Sequence, residues 1–337
     1  MTRRNAYQQS GVDIGAAEQG INEAKLAVLD TYTPEVSSEF GAFAGLYRLN
    51  LDSEEATLAA STDGVGTKTV LAVQANQLEG LGFDLINHGV NDLLGQGALP
   101  LFALDYLASN KLNPQDITTI LKSIANACRK VGIPLLGGET AEMPDVYNPG
   151  EIDLVGTVVG VVQPGINFDR ERVKEGDLLL GLPSNGLHTN GYTLARKALT
   201  NNLQDPIGTQ TVLGALLIPH QNYVNEVKPL LEQPSCIKGI AHITGGGIPD
   251  NLARILPPTM GAHINRDAWC PPEIFQLIQD QSEATTIDMF GTFNMGIGMI
   301  FVVSPEDRVE VTTRSSGSLI ELGQVIAEPN ITFSPQL

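Results

Sequence analysis

An apolar, β-branched run at residues 152–162 constrains the fold of this chain most, because it ends abruptly at Gln163-Pro164-Gly165. A run of this kind predicts a buried strand, and the Pro-Gly pair predicts the turn that stops it. The segment that follows is highly charged. We therefore divide the 337-residue chain near this turn, and each half is long enough to build its own core. The two predicted domains are residues 1–165 and 166–337.

Strand-like and helix-like segments intermix in both halves without a regular βαβ repeat. This arrangement favours the α+β class over a doubly wound sheet. In the first half, Asn113 can cap a helix that starts at Pro114 and ends at Gly132, with apolar residues at helical spacing between them. In the second half, residues 177–182 and 298–303 are predicted to be buried strands.

The composition is that of a globular protein, with 42% hydrophobic and 17% charged residues. The formal net charge of −18 argues against nucleic-acid binding, which depends on clustered Lys and Arg. Small phosphorylated ligands remain compatible with it, since Mg²⁺ and backbone N–H groups supply local positive potential. The chain shows neither an apolar run near 18 residues nor a charged-then-apolar leader, so we expect no membrane association and a cytoplasmic protein. Cys128, Cys236 and Cys270 are too widely spaced for a disulfide framework or a CxxC metal site.

The segment at residues 61–68, with the sequence STDGVGTK, is a candidate nucleotide phosphate site. Gly64 and Gly66 permit positive φ and a close approach of the backbone to a ligand. Asp63 is suited to Mg²⁺, and Lys68 can supply a mobile point charge to phosphate oxygens. The spacing is not that of a Walker A loop. Taken alone, the segment is equally well explained as a turn with a solvated lysine.

Two further segments place carboxylates beside glycines. Residues 84–97 have a helical pattern in which His88 and Asp92 share one face; a solvated polar face is favoured for His88, and a metal-ligand role for Asp92. An apolar run breaks at Gly137-Gly138 just before Glu139, which predicts a strand that ends by directing this carboxylate at a ligand. A surface turn is the alternative for Glu139. Together with Asp63, these carboxylates could hold the Mg²⁺ that bridges the phosphates of ATP.

The second half contains two loops with histidines. His188 and Asn190 lie in a small, polar loop and are suited to orienting a substrate or moving a proton, although ordinary turn and cap chemistry explains them equally well. Three consecutive glycines, residues 245–247, precede a helix predicted to begin at Pro249. A substrate phosphate at that helix N-terminus is favoured over a flexible linker. This makes His242 a candidate acid, base or electrostatic stabiliser. Asn294, in a glycine-containing segment further along the chain, is a further candidate for lining the site.

These segments, in this order, closely resemble the phosphoribosylformylglycinamidine cyclo-ligase family, the aminoimidazole ribonucleotide synthetases of purine biosynthesis. The resemblance covers nearly the whole chain. The segments that carry it are residues 62–68, 90–93, 100–102, 105–106, 137–144, 188–192, 242–247 and 292–296. It implies a homodimer in which the N-terminal domains of two subunits pair their sheets into a β-barrel, and a C-terminal mixed-sheet domain packs beside it.

The resemblance also implies the activity. ATP would phosphorylate the amide oxygen of formylglycinamidine ribonucleotide, the amidine-derived nitrogen would attack within the same molecule, and phosphate would leave. The residues implied on the ATP and Mg²⁺ side are Asp63, Gly64, Gly66, Thr67, Lys68, Asp92, Gly138, Glu139 and Thr140, with Asp63, Asp92 and Glu139 as metal ligands. Those implied at the phosphorylated nucleotide substrate are Asn190, Gly191, Thr244, Gly245, Gly246 and Gly247, with His242, His188 and Asp92 as catalytic residues.

The chain departs from the family pattern at three places. Gln8-Gln9 stands where many members have Lys-Asp, His220-Gln221 where Thr-Arg often follows proline, and Leu187 where proline usually precedes the histidine. The missing cationic groups leave the substrate-phosphate contacts and the substrate's identity open. Two alternatives therefore stand beside the cyclo-ligase: another ATP-using member of the superfamily, such as a thiamine-phosphate kinase, and a nucleotide-binding paralogue without turnover. Selenide and hydrogenase-maturation members are disfavoured because all three cysteines are internal.

Overall fold

The computed structural model describes residues 14–38, 40, 47–49, 56–315 and 319–337, with residues 14–18 described by their backbone alone. Gln8 and Gln9 lie outside the described residues. Contacts group the chain into two units. The first contains the described residues up to Val90 together with Pro100–Val161, and the second contains Asn91–Leu99 and Val162–Leu337.

In the described part of the chain, the first unit contains four helices and four strands. Residues 91–95 of the third helix, the first two residues of the second strand and the last residue of the fourth strand group with the second unit. The helices are α1 (Ile14–Leu29), α2 (Lys68–Ala75), α3 (Leu81–Gly95) and α4 (Pro114–Val131), and the strands are β1 (Leu58–Gly64), β2 (Ala98–Ser109), β3 (Leu135–Glu142) and β4 (Ile152–Val162). The strands form one sheet in the order β1-β4-β2-β3, in which β1 and β4 are antiparallel and β2 and β3 are parallel.

The capping residues and apolar spacing predicted α4 correctly. The Asn113 side chain accepts a hydrogen bond from the Gln115 backbone N–H, Pro114 is the first helical residue, and Gly132 ends the helix with φ +83°. Apolar residues at helical spacing on one face of the helix are buried: Ile117, Ile120, Leu121, Ile124 and Cys128. The apolar run at residues 152–162 is also confirmed as a strand, β4.

The second unit is built on a six-stranded sheet in the order β12-β9-β11-β5-β10-β8, antiparallel except for the parallel pair β12 and β9. Its strands are β5 (Leu178–Pro183), β6 (Pro206–Ile207), β7 (Gln210–Thr211), β8 (Gly239–His242), β9 (Gly261–Asn265), β10 (Ile297–Val303), β11 (Ile320–Ile326) and β12 (Ile331–Ser334). Its helices are α5 (Tyr192–Leu199), α6 (Val212–Leu217), α7 (Val224–Leu231), α8 (Gly247–Ala253), α9 (Glu273–Asp280), α10 (Thr286–Thr292) and α11 (Arg308–Arg314). The short strands β6 and β7 pair only with each other.

The α+β class is confirmed, since both sheets are mixed and carry helices in the same units. The two predicted buried strands of the second half are β5 and β10, and every residue of β10 is buried. Within the described residues, the four strands of the first unit form an open sheet. None of the helices in the described part of the chain is both long and apolar enough to cross a membrane.

Candidate active site

Asp63 lies in strand β1, not in a turn. The strand continues through Gly64, which pairs with Val155 of β4, so it extends beyond the apolar run that predicted it. The Asp63 carboxylate is about half exposed (53%). One of its oxygens accepts from the Gly64 backbone N–H at 2.6 Å. Of the two glycines expected to take positive φ, Gly66 does so (φ +68°) and Gly64 does not.

The other carboxylate oxygen of Asp63 contacts His88, whose side chain is buried. Its Nε2 lies 3.2 Å from Asp63 Oδ2. The expectation of a solvated polar face at His88 is therefore wrong. The neighbouring residue supplies a physical reason: a Cβ atom at Gly89 would lie 2.7 Å from Val158 Cγ2, so the glycine lets α3 pack directly onto β4. The same close approach carries His88 into the sheet surface beside Asp63.

Lys68 is the first residue of α2 and forms a buried ion pair with Asp84 of α3. The Lys68 Nζ lies 2.7 Å from Asp84 Oδ1, and the two side chains are 1% and 0% exposed. Burial lowers the pKa of Lys68, and the neighbouring Asp84 carboxylate opposes that shift. The expectation of a mobile point charge is wrong, because the ammonium is fixed inside the unit.

Glu139 and Thr140 lie within strand β3, which runs through the double glycine to Glu142 instead of ending there. The prediction that the strand ends at these glycines is wrong. A Cβ atom at Gly138 would lie 2.1 Å from the Asp105 Oδ1 on the neighbouring strand, so only glycine leaves room for that carboxylate. The Glu139 side chain is exposed and accepts from the Thr140 backbone N–H at 2.8 Å.

The structure does not bring Asp63 and Glu139 together within one chain. Asp63 is on β1 and Glu139 is on β3, and these are the two edge strands of the four-stranded sheet. Three inter-strand steps separate them, which is about 14 Å. A single Mg²⁺ with ligand distances of about 2.1 Å cannot bind both carboxylates of one chain.

Asp105 is a buried carboxyl group that sequence reasoning did not single out. Burial raises its pKa to about 7. Between the ordinary value near 3.8 and pH 7, the folded protein therefore keeps a proton that the unfolded chain has lost, and stability falls as pH rises through this window.

Asp105→Asn removes this titration, because an amide does not ionise. At pH 4 we expect the free energy of unfolding of the variant to be equal to or lower than that of the wild-type protein. At pH 8 we expect it to be higher by about 2–4 kcal/mol. Urea unfolding at the two pH values measures the difference. A gap between the two proteins that does not change with pH would contradict the assignment.

In the second unit, Asp92 orients His242. The Asp92 Oδ1 lies 2.8 Å from Nδ1 of His242, which is the last residue of β8 and is buried, while the Asp92 side chain is 30% exposed. A carboxylate in this position holds the imidazole with its proton on Nδ1 and leaves Nε2 as an acceptor. The arrangement suits His242 to proton transfer through Nε2.

His220 and His188 complete a buried cluster with His242. The Nε2 atoms of His220 and His242 are 3.2 Å apart, and the ring of His188 stacks on His220 with centroids 4.0 Å apart. His188 has φ +62°, a left-handed conformation that costs a residue other than glycine about 1–3 kcal/mol. Asn91 holds the segment that carries His220, donating to the Gln221 carbonyl at 2.8 Å and accepting from the Tyr223 N–H at 3.1 Å.

Asn294 braces the loop that carries His188 and is itself buried. Its amide donates to the Gly186 carbonyl at 2.9 Å, and its oxygen lies 2.9 Å from the Ser184 hydroxyl. Its role is therefore in shaping the loop. On the same loop, Asn190 Nδ2 is a buried donor with no hydrogen-bond partner among the described residues, and Asn190 Oδ1 lies 3.3 Å from where a Cβ atom of Gly245 would be. This amide is available to a ligand.

The glycine loop is a tight, fixed structure. Helix α8 begins at Gly247, so the predicted start at Pro249 is wrong by one half-turn. A Cβ atom at Gly247 would lie 1.8 Å from the Phe290 carbonyl oxygen, and φ is +59° there. Buried Asn251 holds the loop together by donating to the carbonyls of Thr244, Gly245 and Gly247. Such a loop is not a linker, and it presents its backbone in one conformation.

Sequence reasoning missed several residues that shape the site. Asp84, Asp105 and Asn251 are buried polar residues, and burial of a polar side chain is not visible in the spacing of apolar residues. His220 was noted only as a departure from the family pattern. Its signal was present in the sequence, since three of the five histidines lie in polar or glycine-rich segments of the second half.

Sequence models of known protein families match both halves of the chain. The description "AIR synthase related protein, N-terminal domain" matches residues 41–162, and "AIR synthase related protein, C-terminal domain" matches residues 174–334. A phosphoribosylformylglycinamidine cyclo-ligase of Desulfitobacterium hafniense is 45% identical over 306 residues, covering 90% of both chains. The enzyme of that name from Myxococcus xanthus is 44% identical over 331 residues, covering 95% of this chain and 96% of its own.

Solved structures of other proteins share the fold at much lower identity. The hydrogenase maturation protein HypE in complex with ATP has a TM-score of 0.66 and 18% identity, covering 96% of this chain and 92% of its own. The thiamine-monophosphate kinase of Stenotrophomonas maltophilia has a TM-score of 0.64 and 17% identity, covering 94% and 96%. At this level of identity the likeness extends to the fold alone.

Proposed function

We propose that this chain, which belongs to the phosphoribosylformylglycinamidine cyclo-ligase family, closes formylglycinamidine ribonucleotide to 5-aminoimidazole ribonucleotide with conversion of ATP to ADP and phosphate. Identities of 38–45% over most of the chain support this. The structural observation that carries it is the buried His242, oriented by Asp92 and followed directly by the fixed glycine loop. A buried imidazole beside a fixed loop supports a site in which a proton acceptor lies next to the bound substrate.

The reaction we propose has two steps. The γ-phosphoryl group of ATP passes to the amide oxygen of the substrate, which releases ADP and turns that oxygen into part of a leaving group. The amidine-derived nitrogen then attacks the same carbon, the carbon–oxygen bond breaks, and the oxygen departs with phosphate. Ring closure releases a proton, which His242 Nε2 accepts while Asp92 stabilises the imidazolium that forms. The second step is intramolecular, so a pre-oriented substrate gains effective molarities of about 10⁵ M or more.

Residues on the first unit are proposed to meet Mg-ATP. Asp63 and Glu139 present exposed carboxylates, the oxygen ligands that Mg²⁺ prefers. Mg²⁺ would neutralise charge on the ATP phosphates. Asp92, which belongs to the second unit and has Oδ1 2.8 Å from His242 Nδ1, is the third ligand that the family resemblance implies. Backbone groups of Gly64, Gly66, Thr67, Gly138 and Thr140 are the proposed contacts to the nucleotide. Lys68 is assigned a positioning role instead, since it is buried against Asp84 at the end of this segment. A protein of the same fold solved with ATP supports nucleotide binding.

The substrate is proposed to lie against the second unit. The Asn190 amide is a donor available to the substrate, and the loop of Thr244, Gly245, Gly246 and Gly247 supplies a fixed backbone beside it. Gly191 permits the turn from this polar loop into α5, with φ +76°. His188 is proposed to orient the substrate or its neighbouring histidine, since its ring stacks on His220 with centroids 4.0 Å apart.

A cytoplasmic homodimer is part of the proposal. Among the strands of the described residues, β1 and β3 are the open edges of the four-stranded sheet, and open edges are usually paired or covered in native proteins. Pairing with a second copy would close the sheet into a barrel and remove these edges. It would also provide a way for Glu139 of one copy to serve a site that holds Asp63 of the other. Sedimentation equilibrium is expected to give twice the chain mass of 35.9 kDa.

The activity is tested with purified full-length protein, Mg-ATP and formylglycinamidine ribonucleotide. We expect ADP and aminoimidazole ribonucleotide to form together in equal amounts. Thiamine phosphate is the matched alternative substrate, because a kinase that acts on it shares the fold. ADP formation with thiamine phosphate alone, or ATP binding without ADP formation with either compound, would contradict the proposal.

A further inference from the structure

We propose that His220 and His242 form the core of a binding site for a divalent transition metal of the Zn²⁺ class, with His188 beside them. This site lies in the second unit and is distinct in chemistry from the Mg²⁺ proposed for ATP. Each of the three histidines offers a nitrogen, and these nitrogens all lie within 4.8 Å of one another. All three residues are buried.

The spacing of the two Nε2 atoms matches a shared metal ion. They are 3.2 Å apart. Two imidazole nitrogens bound to a tetrahedral Zn²⁺ at about 2.0–2.1 Å lie roughly 3.3–3.4 Å from each other. The pair therefore needs little movement to bind an ion.

Both rings are held from behind in the way that metal-binding histidines require. Asp92 Oδ1 lies 2.8 Å from Nδ1 of His242, and Thr189 Oγ1 lies 3.3 Å from Nδ1 of His220. A partner on Nδ1 fixes the orientation of the ring and, when it accepts the Nδ1 proton, puts the ring's lone pair on Nε2. We assign that tautomer to both rings. Their two lone pairs then face each other, which favours a cation between them.

The donor set selects the class of metal. Neutral imidazoles suit Zn²⁺, Cu²⁺, Ni²⁺ and Co²⁺, whereas Mg²⁺ prefers carboxylate, phosphate and water oxygens. His188, which stacks on His220, is placed to become a third ligand by rotation of its ring. A metal at His242 Nε2 would occupy the lone pair that accepts the proton in the proposed reaction, so Zn²⁺ would inhibit turnover; this last consequence rests on the proposed function.

Cobalt is the probe, because tetrahedral Co²⁺ has visible absorption bands that do not depend on enzyme activity. Full-length protein is treated with a chelator, freed of the chelator and titrated with Co²⁺ in excess Mg²⁺. We expect the bands to saturate at one cobalt per chain, Zn²⁺ to abolish them, and Mg²⁺ to leave them unchanged.

His220→Asn removes Nε2 and keeps a polar atom near the Thr189 hydroxyl. We expect it to weaken cobalt binding by about 100-fold or more, since loss of an outer partner alone costs 10–100-fold. His263→Asn is the matched control: His263 also has Nδ1 beside a threonine hydroxyl, that of Thr332 at 3.1 Å, but it is exposed and lies on β9, four strands from β8. The control should bind cobalt as the wild-type protein does.

A second variant keeps the test valid if His220→Asn fails to fold. Thr189→Val retains all three histidines and removes only the hydroxyl behind His220, so binding should weaken about 10-fold or more. Circular dichroism checks that each variant is folded. Absence of the tetrahedral bands in the wild-type protein would overturn the proposal and leave a direct His220–His242 hydrogen bond as the explanation of the 3.2 Å distance. Equal cobalt affinity in wild-type protein and both cluster variants would overturn it as well.

Discussion

Asp92→Ala is expected to lower turnover by about 10²–10⁴-fold, the usual contribution of general acid–base catalysis. The carboxylate lies 2.8 Å from His242 Nδ1, and without it the imidazole loses both its fixed tautomer and the charge that stabilises its protonated form. If Asp92 also binds the Mg²⁺ of ATP, removal of this ligand lowers the turnover number further. Steady-state ADP release at saturating substrate measures it.

Folding should change much less in this variant, because the Asp92 side chain is 30% exposed and its lost hydrogen bond contributes about 1 kcal/mol. Asp280→Ala is the matched control in the same unit: Asp280 is an exposed aspartate that accepts one hydrogen bond, from Gln276 Nε2 at 2.7 Å. It should retain full turnover. Normal activity in Asp92→Ala, or equal losses in both variants, would exclude the proposed role.

Lys68→Met is expected to destabilise the protein by about 3–5 kcal/mol, because it leaves the Asp84 carboxylate buried without its cationic partner. The double variant Lys68→Met/Asp84→Leu removes both charges and should recover most of this loss, since a buried ion pair often contributes little more than an apolar pair of similar volume. The free energy of unfolding in urea measures both values.

An exposed lysine of the same unit supplies the control. Lys122 lies on α4 and takes part in none of the ion pairs formed by the described residues. Lys122→Met should therefore change the free energy of unfolding by about 0.5 kcal/mol or less. If Lys68 instead reached phosphate directly, Lys68→Met would weaken ATP binding while leaving the free energy of unfolding near the wild-type value. That result would contradict the positioning role assigned here.

Local chemistry explains why some elements could be predicted. Helix α4 follows from one cap, one proline, one glycine and apolar residues at helical spacing, all within 20 residues. Strands β4, β5 and β10 follow from apolar runs bounded by turn residues. In each case the residues that decide the structure are neighbours in sequence.

The errors arise where distant residues decide. His88 is buried because Gly89 lets its helix approach Val158, some 70 positions away. Strand β3 continues through Gly138 because the Asp105 carboxyl group occupies the space that a side chain would need. Periodicity within one segment contains neither fact.

The candidate site shows the same division. Sequence identified Asp92, His188, His242 and the glycine loop, which all lie in recognisable segments. It did not identify the contacts between them, because Asp92 and His242 are separated by 150 positions and His220 and His242 by 22. Nor did it show that Asp63 and Glu139 lie on opposite edges of one sheet.

The fate of one oxygen atom tests the central claim most directly. The substrate is labelled with ¹⁸O at the amide oxygen of the formylglycyl group and converted by the wild-type protein with unlabelled Mg-ATP. Transfer of the γ-phosphoryl group to that oxygen predicts that the label leaves the substrate and appears quantitatively in inorganic phosphate, with one ADP formed for each ring closed. Unlabelled phosphate, or ring closure without ADP, would contradict the proposed reaction.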